Sequence, residues 1–504
     1  LCGDALEDDA PEGAITPDVR HSITQHKAEL LSLLHQYSDV SNVNLNQLPT
    51  VVPQPEARYQ PFPLTDMQHA FWVGRSGALE LGEVANHGYY EIESYDLDLE
   101  RLNWALQRLI DRHDMLRAIV LPDGQQQVLK EVPSYQIEIL DLRSLPDSVV
   151  ESKIDDVRYR MSHQVLPADQ YPLFEFRATR LDKGKVRLHI SYDLQIFDAW
   201  SLFRLFDEWF QLYQTSTAEL IPLEISFRDY VLAEQSLQET QLYRQSQDYW
   251  LSRLDTLPPA PDLPLAKRPS DLQNHRCKRY EGGLEQSVWQ ALKQKAAGAG
   301  LTPSGVLLAA FSEILAVWSK IPRFTINLAL FNRLPIHPQV GNILGDFTSV
   351  TLLEADHSVP KSFANQAVQL QQQLWRDLEN RYFSGVRVVR ELSRQRGAAP
   401  SAMPVIFTST LGFSSLGQNT RTFSHFGELV YGISQASQAW IDVQVWEEND
   451  TLTFNWDVVE ELFPKGLVDD MFSAYCRFLK ILATSESAWT EIGRQFVLPN
   501  QINQ

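Results

Sequence analysis

Between Leu257 and Pro269 the chain reads LPPAPDLPLAKRP, with prolines at Pro258, Pro259, Pro261, Pro264 and Pro269. Proline fixes φ and has no backbone N–H to donate, so this span can be neither helix nor central strand. It divides the 504 residues into two parts, each long enough to build its own core. Residues 257–270 are therefore read as a bridge, 62–256 as one lobe and 271–490 as a second.

Both lobes alternate helix and strand signals. In the first, Asp98 caps a helix that carries Leu99, Leu102, Leu106, Leu109 and Ile110 on one face, and Leu116–Val120 follows as a strand. Val186, Leu188, Ile190 and Tyr192 alternate with polar residues, which predicts a half-buried strand ending at Asp193. After Asp198 comes AWSLFRLFDEWFQLY, apolar on nearly every side and therefore an interior helix. In the second lobe Thr302-Pro303 opens a helix, and Phe324, Ile326, Leu328 and Leu330 alternate as a strand leading into Asn332-Arg333. PVIFTST and WIDVQVW read as further strands, the latter turned back by Asn449-Asp450 into TLTFNW. Such alternation makes an α/β (α+β) fold. Ahead of the lobes, Thr16-Pro17 starts a small helix within residues 1–36, and the polar, proline-dotted residues 37–61 read as a linker.

Composition removes several function classes. A net charge of −20 argues against nucleic acid or an anionic membrane as partner. The three cysteines, Cys2, Cys277 and Cys476, have no paired spacing, so neither a disulfide framework nor a zinc or other metal site is expected. No apolar run approaches a membrane span, and the N-terminal residues do not form a signal peptide, which makes a cytoplasmic location the expectation. The chain begins at Leu1 rather than Met and ends in polar VLPNQINQ, residues 491–504 reading as a linker to a further domain. A Walker loop, a Rossmann glycine fingerprint, His-Glu-x-x-His and Gly-x-Ser-x-Gly are all missing, so chemistry must rest on side chains and substrate-borne groups.

Three acids stand out. Asp198, with Ser201 three residues on, has the position of a helix N-cap. Asp193 closes the preceding strand and fits either an Asx turn or the partner of an arginine. Arg333 is an ion-pair candidate for either aspartate. On WIDVQVW the two-residue period puts Trp440, Asp442, Gln444 and Trp446 on one face and Ile441, Val443 and Val445 on the core face. Asp442 is then either a solvated rim residue or a carboxyl partly desolvated by aromatic walls, with a raised pKa that suits proton transfer. Thr408 shares a strand face with Ile406 and Thr410, a place threonine fills for its β propensity alone.

In chain order, FPLTDMQHAFWVGR, RHDMLR, DLQIFDAWS, the proline-rich bridge, LTPSGVLLAAFSEILAVWS, GDFTSVTLL, PVIFTSTL and SQASQAWID resemble the motif series of heterocyclization domains of nonribosomal peptide synthetases, within the condensation-domain superfamily. The resemblance runs from about Phe62 to the C-terminus. It implies two chloramphenicol-acetyltransferase-like lobes forming a V-shaped pseudo-dimer around a central tunnel. Condensation domains carry His-His-x-x-x-Asp-Gly where this chain has Asp193 to Ala199, and the usual catalytic histidine falls on Leu194.

What the resemblance implies is a two-step reaction. An upstream acyl thioester is condensed with carrier-bound cysteine, serine or threonine, and the amide is cyclodehydrated to a thiazoline or oxazoline. The family's acid/base pair matches Thr408 and Asp442, with Asn332, Gln438 and Asp193 in supporting positions and Asp198, Ser201 and Arg333 as scaffold. The family's Thr-Pro-Gln-Val reads Ala436-Ser437-Gln438-Ala439 here, so the loop before Asp442 is expected to be shaped differently. Residues 1–36 resemble the latter part of a small docking domain that receives the tail of an upstream synthetase subunit. No tightly bound cofactor is implied, substrates arriving on 4′-phosphopantetheine arms of upstream and downstream carrier domains, with an adenylation domain following in the same chain. Condensation without ring closure and a non-catalytic carrier platform are the competing readings.

Overall fold

The computed structural model describes residues 48–75, 81–82, 84–272, 275–396, 403–412 and 423–492. The helix expected after Thr16 and the docking segment lie outside the described residues.

The first half runs β1 (Phe62–Pro63), α1 (Asp66–Gly74), β2 (His87–Tyr95), α2 (Leu99–Arg112), β3 (Ala118–Val120), β4 (Gln125–Val128), β5 (Glu138–Asp141), α3 (Asp147–Met161), β6 (Phe174–Arg180), β7 (Lys185–Asp193), α4 (Ala199–Gln214), α5 (Phe227–Ser236) and α6 (Gln241–Arg253). The second runs β8 (Lys278–Leu284), α7 (Gln286–Gly298), α8 (Pro303–Trp318), β9 (Arg323–Phe331), β10 (Thr348–Asp356), α9 (Phe363–Glu379), α10 (Gly385–Arg396), β11 (Val405–Ser409), β12 (Glu428–Gln435), β13 (Ile441–Glu448), β14 (Thr451–Val458), α11 (Leu467–Thr484) and α12 (Ser487–Thr490). No single helix among the described residues is long and apolar enough to cross a membrane.

Each lobe is a mixed sheet backed by helices. The first lobe's sheet has the order β12-β2-β7-β6-β5 and the second's β10-β9-β11-β13-β14-β8, while β1, β4 and β3 form a small separate sheet. Helix starts follow the caps read from sequence: the Asp98 carboxylate accepts from Arg101 N, and the Thr302 hydroxyl accepts from Gly305 N ahead of Pro303. The second core gathers on α8, whose Val306–Ala310 are all buried against Phe407, Val443 and Phe454 on the inner sheet face.

Four local expectations need correction. Strand β7 is buried on both faces rather than one, because its polar side has partners: His189 joins Tyr89 and Thr179, Ser191 joins His87, and Met161 of α3 packs on Tyr89. Leu116-Arg117 belongs to a 3-10 turn, and only Ala118–Val120 is strand. The end of the expected linker is part of the body, since Val51 is buried in the first core and donates its N–H to Ile336 O. The lobes also exchange chain. Strand β12 pairs with β2 across the boundary, Leu334 to Phe347 pack into the first core, and Trp250 of α6 packs against Val388 and Leu392 of α10. The proline-rich bridge thus ends the first half in sequence but does not separate two independent bodies.

Candidate active site

A cavity of about 990 Å³ lies between the lobes. One wall is the sheet face of the second lobe that alternation leaves turned away from its core. Strand register builds this wall in rows. Asn327, Ile406, Asp442, Asp457 and Arg279 lie side by side on β9, β11, β13, β14 and β8. The next row is Ala329, Thr408, Gln444, Asn455 and Glu281. Thr408 and Asp442 are therefore diagonal neighbours on adjacent parallel strands, both lining the cavity.

Asp442 is only 9% exposed. Its Oδ2 accepts from Gln444 Nε2 at 2.9 Å and from Ser434 Oγ at 3.5 Å, and its Oδ1 is buried without a partner. Burial, reinforced by the neighbouring Asp457 carboxylate, pushes its pKa up to about 7. Only one of the two expected aromatic walls stands in the cavity. Trp446 lines the cavity, but Trp440 packs against the second lobe's core. Ser434 of β12, a strand of the first lobe's sheet, reaches over Asp442 on β13.

Around Asp442 other buried polar atoms lack protein partners: Asn327 Oδ1, Thr410 Oγ1, Gln435 Oε1, Gln438 Nε2 and Asn455 Oδ1. All five residues line the cavity. Unsatisfied polar groups in a buried wall are costly, and their convergence on one void fits a polar ligand that supplies the missing hydrogen bonds. Gln438 sits at φ +64, a left-handed conformation held by the Ala439 N to Ala436 O turn.

The substituted loop before Asp442 acquires its own anchor. Ser437 N–H donates to Asn86 Oδ1 at 2.9 Å, and Asn86 Nδ2 donates to Ser437 Oγ at 3.2 Å. A proline at Ser437 has no N–H for the first of these bonds. The loop is thereby tied to the segment entering β2, just beyond the Gln435–His87 end of the β12–β2 pairing.

The aspartates of the DLQIFDAWS motif separate in role. Asp193 is outside the cavity lining. It forms a buried ion pair with Arg75 and accepts Gln195 N–H at 2.9 Å, so both alternatives open from sequence, turn former and arginine partner, hold together. Asp198 caps α4 by accepting Ser201 N–H at 2.8 Å and takes the Arg333 guanidinium at 3.0 Å. Arg333 also donates to Ser201 Oγ and to the carbonyls of Val340 and Ile343, while Ser201 Oγ donates to Gly345 O. This cluster locks α4 of the first lobe to the loop before β10 of the second. Leu194 lines the cavity where a histidine would reach it.

Asn332 is displaced from the expected surroundings of Asp442. Its side chain lines a separate polar cavity of about 90 Å³, with Glu234, Asp346 and Arg387, and its backbone carbonyl accepts from Tyr230 Oη. Strand β9 ends at Phe331, and the chain turns there towards α5 rather than along the cavity wall. Four residues around Asp442 were not singled out from sequence: Asn86, Arg279, Ser434 and Asp457. For Asp457 a signal was present, since the two-residue turn at Asn449-Asp450 fixes which residue of β14 faces Asp442.

The family model for the condensation domain matches residues 60–490. The chain belongs to the condensation-domain family. A second model, for the TubC N-terminal docking domain, matches residues 1–36 of this condensation-domain chain. Its sequence is 35% identical over 487 residues to pyochelin synthetase PchF of Pseudomonas aeruginosa, covering 96% of the chain. It is 35% identical over 466 residues to phenyloxazoline synthase MbtB of Mycobacterium tuberculosis, covering 90%. The chain spans 26% and 32% of the lengths of these two relatives. The EpoB cyclization-docking bidomain from Sorangium cellulosum superposes with a TM-score of 0.81 at 39% identity, over 97% of this chain and 96% of that one.

Proposed function

We propose that this condensation domain is a heterocyclization catalyst of a nonribosomal peptide synthetase. It joins an upstream carrier-bound acyl group to a carrier-bound cysteine, serine or threonine, and then closes the ring with loss of water. Amide formation starts from an activated thioester, and alignment in one cavity supplies much of its rate. A histidine at Leu194 is dispensable for that step.

Ring closure needs proton transfer at one carbon. The thiol or hydroxyl adds to the amide carbonyl, its proton leaves, and the carbonyl oxygen becomes a hydroxyl. That hydroxyl must then depart with an added proton as water while the nitrogen gives up its N–H, forming C=N. Asp442 is suited to both transfers, because a carboxyl titrating near neutrality gives and takes protons with little bias. Thr408, one row along, can hydrogen-bond the same oxygen as it changes from carbonyl to hydroxyl. The observation that carries this reading is a buried, partly unsatisfied Asp442 diagonal to Thr408 in the cavity wall.

The relatives favour the same reading, one being a phenyloxazoline synthase and one a cyclization-docking bidomain. The docking-domain match supports capture of an upstream synthetase subunit through residues 1–36. Substrates then reach the cavity on phosphopantetheine arms of flanking carriers in the cytoplasm, and an adenylation domain follows in the chain.

The test is intact-protein mass spectrometry of the acceptor carrier after reaction with an acyl-loaded donor and a cysteinyl-loaded acceptor. The parent domain gives the condensed product minus one water. Asp442→Asn accumulates the linear amide, with ring closure slowed by about 10²- to 10⁴-fold. A parent that stops at the amide with cysteine, serine and threonine alike makes the domain a condensation catalyst only.

A further inference from the structure

Asp442 and Asp457 are directly opposite each other on the antiparallel strands β13 and β14. Residues so paired have Cβ atoms about 4.5–5.5 Å apart, and like charges at that separation repel. The sheet tolerates the pair because the two carboxyls are treated unequally.

Asp457 is gripped from three sides. Arg279, opposite it on β8, donates Nε to Oδ1 at 2.7 Å and Nη2 to Oδ2 at 2.6 Å. Ser434 reaches over from β12 and donates its backbone N–H at 3.0 Å and its hydroxyl at 2.7 Å to Oδ2. Asn455 Nδ2 adds a weaker bond at 3.3 Å. Asp442 shares only the Ser434 hydroxyl, at 3.5 Å, and has the Gln444 amide, which itself donates to Ser434 Oγ. A bidentate guanidinium and two further strong donors make Asp457 much the more strongly hydrogen-bonded of the two carboxyls.

We propose that Asp457, clamped by Arg279 and Ser434 directly opposite Asp442, is a positioning residue whose carboxylate tunes Asp442 for ring closure. The other groups that face Asp442 do not compete for this role. On β2, burial raises the pKa of Tyr90, and next to β8 it does the same for Cys277, so both stay neutral in the working range. The β11 neighbour is the apolar Ile406, and the β12 neighbour is Ser434. Because Ser434 belongs to the strand that joins the first lobe's sheet, its share of the clamp depends on β12 being docked on β2, whereas Arg279 reaches Asp457 from β8.

The inference rests on Asp442 being the ring-closing group, and its test separates the two claims. Single-turnover ring closure is followed from pH 5 to pH 9 with one cysteinyl acceptor. Linear amide formation by the same preparations reports that each variant is folded. Asp457→Asn removes the anion and leaves the Arg279 cation, so the ionisation nearest neutrality moves to lower pH by about one unit or more. Arg279→Gln leaves the anion unneutralised and moves it to higher pH.

The double variant carries neither charge and avoids a buried unpaired ion, so it folds where a single variant fails and returns the ionisation towards its parental position. Rates that fall in all three variants with the ionisation unmoved make the pair structural and overturn the inference. A shift in the same direction for both single variants overturns it as well. Ring closure persisting in Asp442→Asn overturns the underlying reading instead.

Discussion

Asp346, the acid of the GDFTSVTLL motif, is completely buried and forms part of the wall of the small polar cavity beside Asn332. Its Oδ1 accepts Thr348 N–H at 3.0 Å, whereas its Oδ2 has no partner. Burial is the main force on its proton, and the Asp198 and Glu234 carboxyls add to it, while Arg333 pairs with Asp198. The result is a pKa pushed up to about 8. In the unfolded chain the same carboxyl titrates at its ordinary value of 3.8. Between these values the unfolded state has lost the proton that the folded state keeps. The contribution of Asp346 to stability is therefore complete below pH ~4, falls as pH rises, and is gone above pH ~8. At pH 7 about three units of that interval have been crossed, which at about 1.4 kcal/mol per unit caps the loss at roughly 4 kcal/mol.

Asp346→Asn cannot ionise and retains an oxygen for Thr348 N–H. It should be more stable than the parent at pH 7 by about 1–4 kcal/mol, the advantage widening from pH 5 to pH 8 and then levelling. Urea unfolding at fixed pH steps, read by the fluorescence of the buried Trp209, Trp250, Trp289 and Trp456, measures it directly. With Glu234→Gln as background the advantage should shrink above pH ~7, where Glu234, itself pushed up to about 7 by burial, carries its charge. A variant less stable than the parent at pH 7, or a difference that does not vary with pH, would refute the reasoning.

Ser437→Pro deletes the N–H that reaches Asn86 and leaves a buried amide oxygen unpaired, at a cost of about 1–3 kcal/mol. Ring closure should slow more than amide formation in the same mass-spectrometric assay, because the loop leads into Asp442. Gly427 enters β12 at φ +151, and a Cβ there would stand 2.0 Å from Glu93 O. Gly427→Ala should therefore loosen β12 from β2, seen as faster amide hydrogen exchange across Glu428–Gln435 than in the parent.

Local rules carried well where the backbone alone decides. The cap at Asp98, the Thr302-Pro303 helix start and the inner and outer faces of β11 and β13 follow from residue type and period, since neither depends on what lies across the interior. The same rules misjudged β7, whose alternation is that of a half-exposed strand, because His189 and Ser191 are covered by a polar network that no period can announce. Chain exchange between lobes was hidden for a related reason. β12 and the Leu334–Phe347 segment look like any other part of the second half, and only the partner surfaces select them.

Asp442 lies between these cases. Its face was legible, and so was its opposite number: counting back from the turn at Asn449-Asp450, where both residues have positive φ, brings Asp457 across from it. Alternation sets Trp440 and Trp446 on the same face as Asp442, but Trp440 precedes the strand and packs against the core. What no count reveals is which of two facing aspartates keeps the charge. That is decided by Arg279 and Ser434, more than 150 residues apart in sequence and brought to one carboxylate by β8, the neighbour of β14 in its own sheet, and by β12, which belongs to the first lobe's sheet.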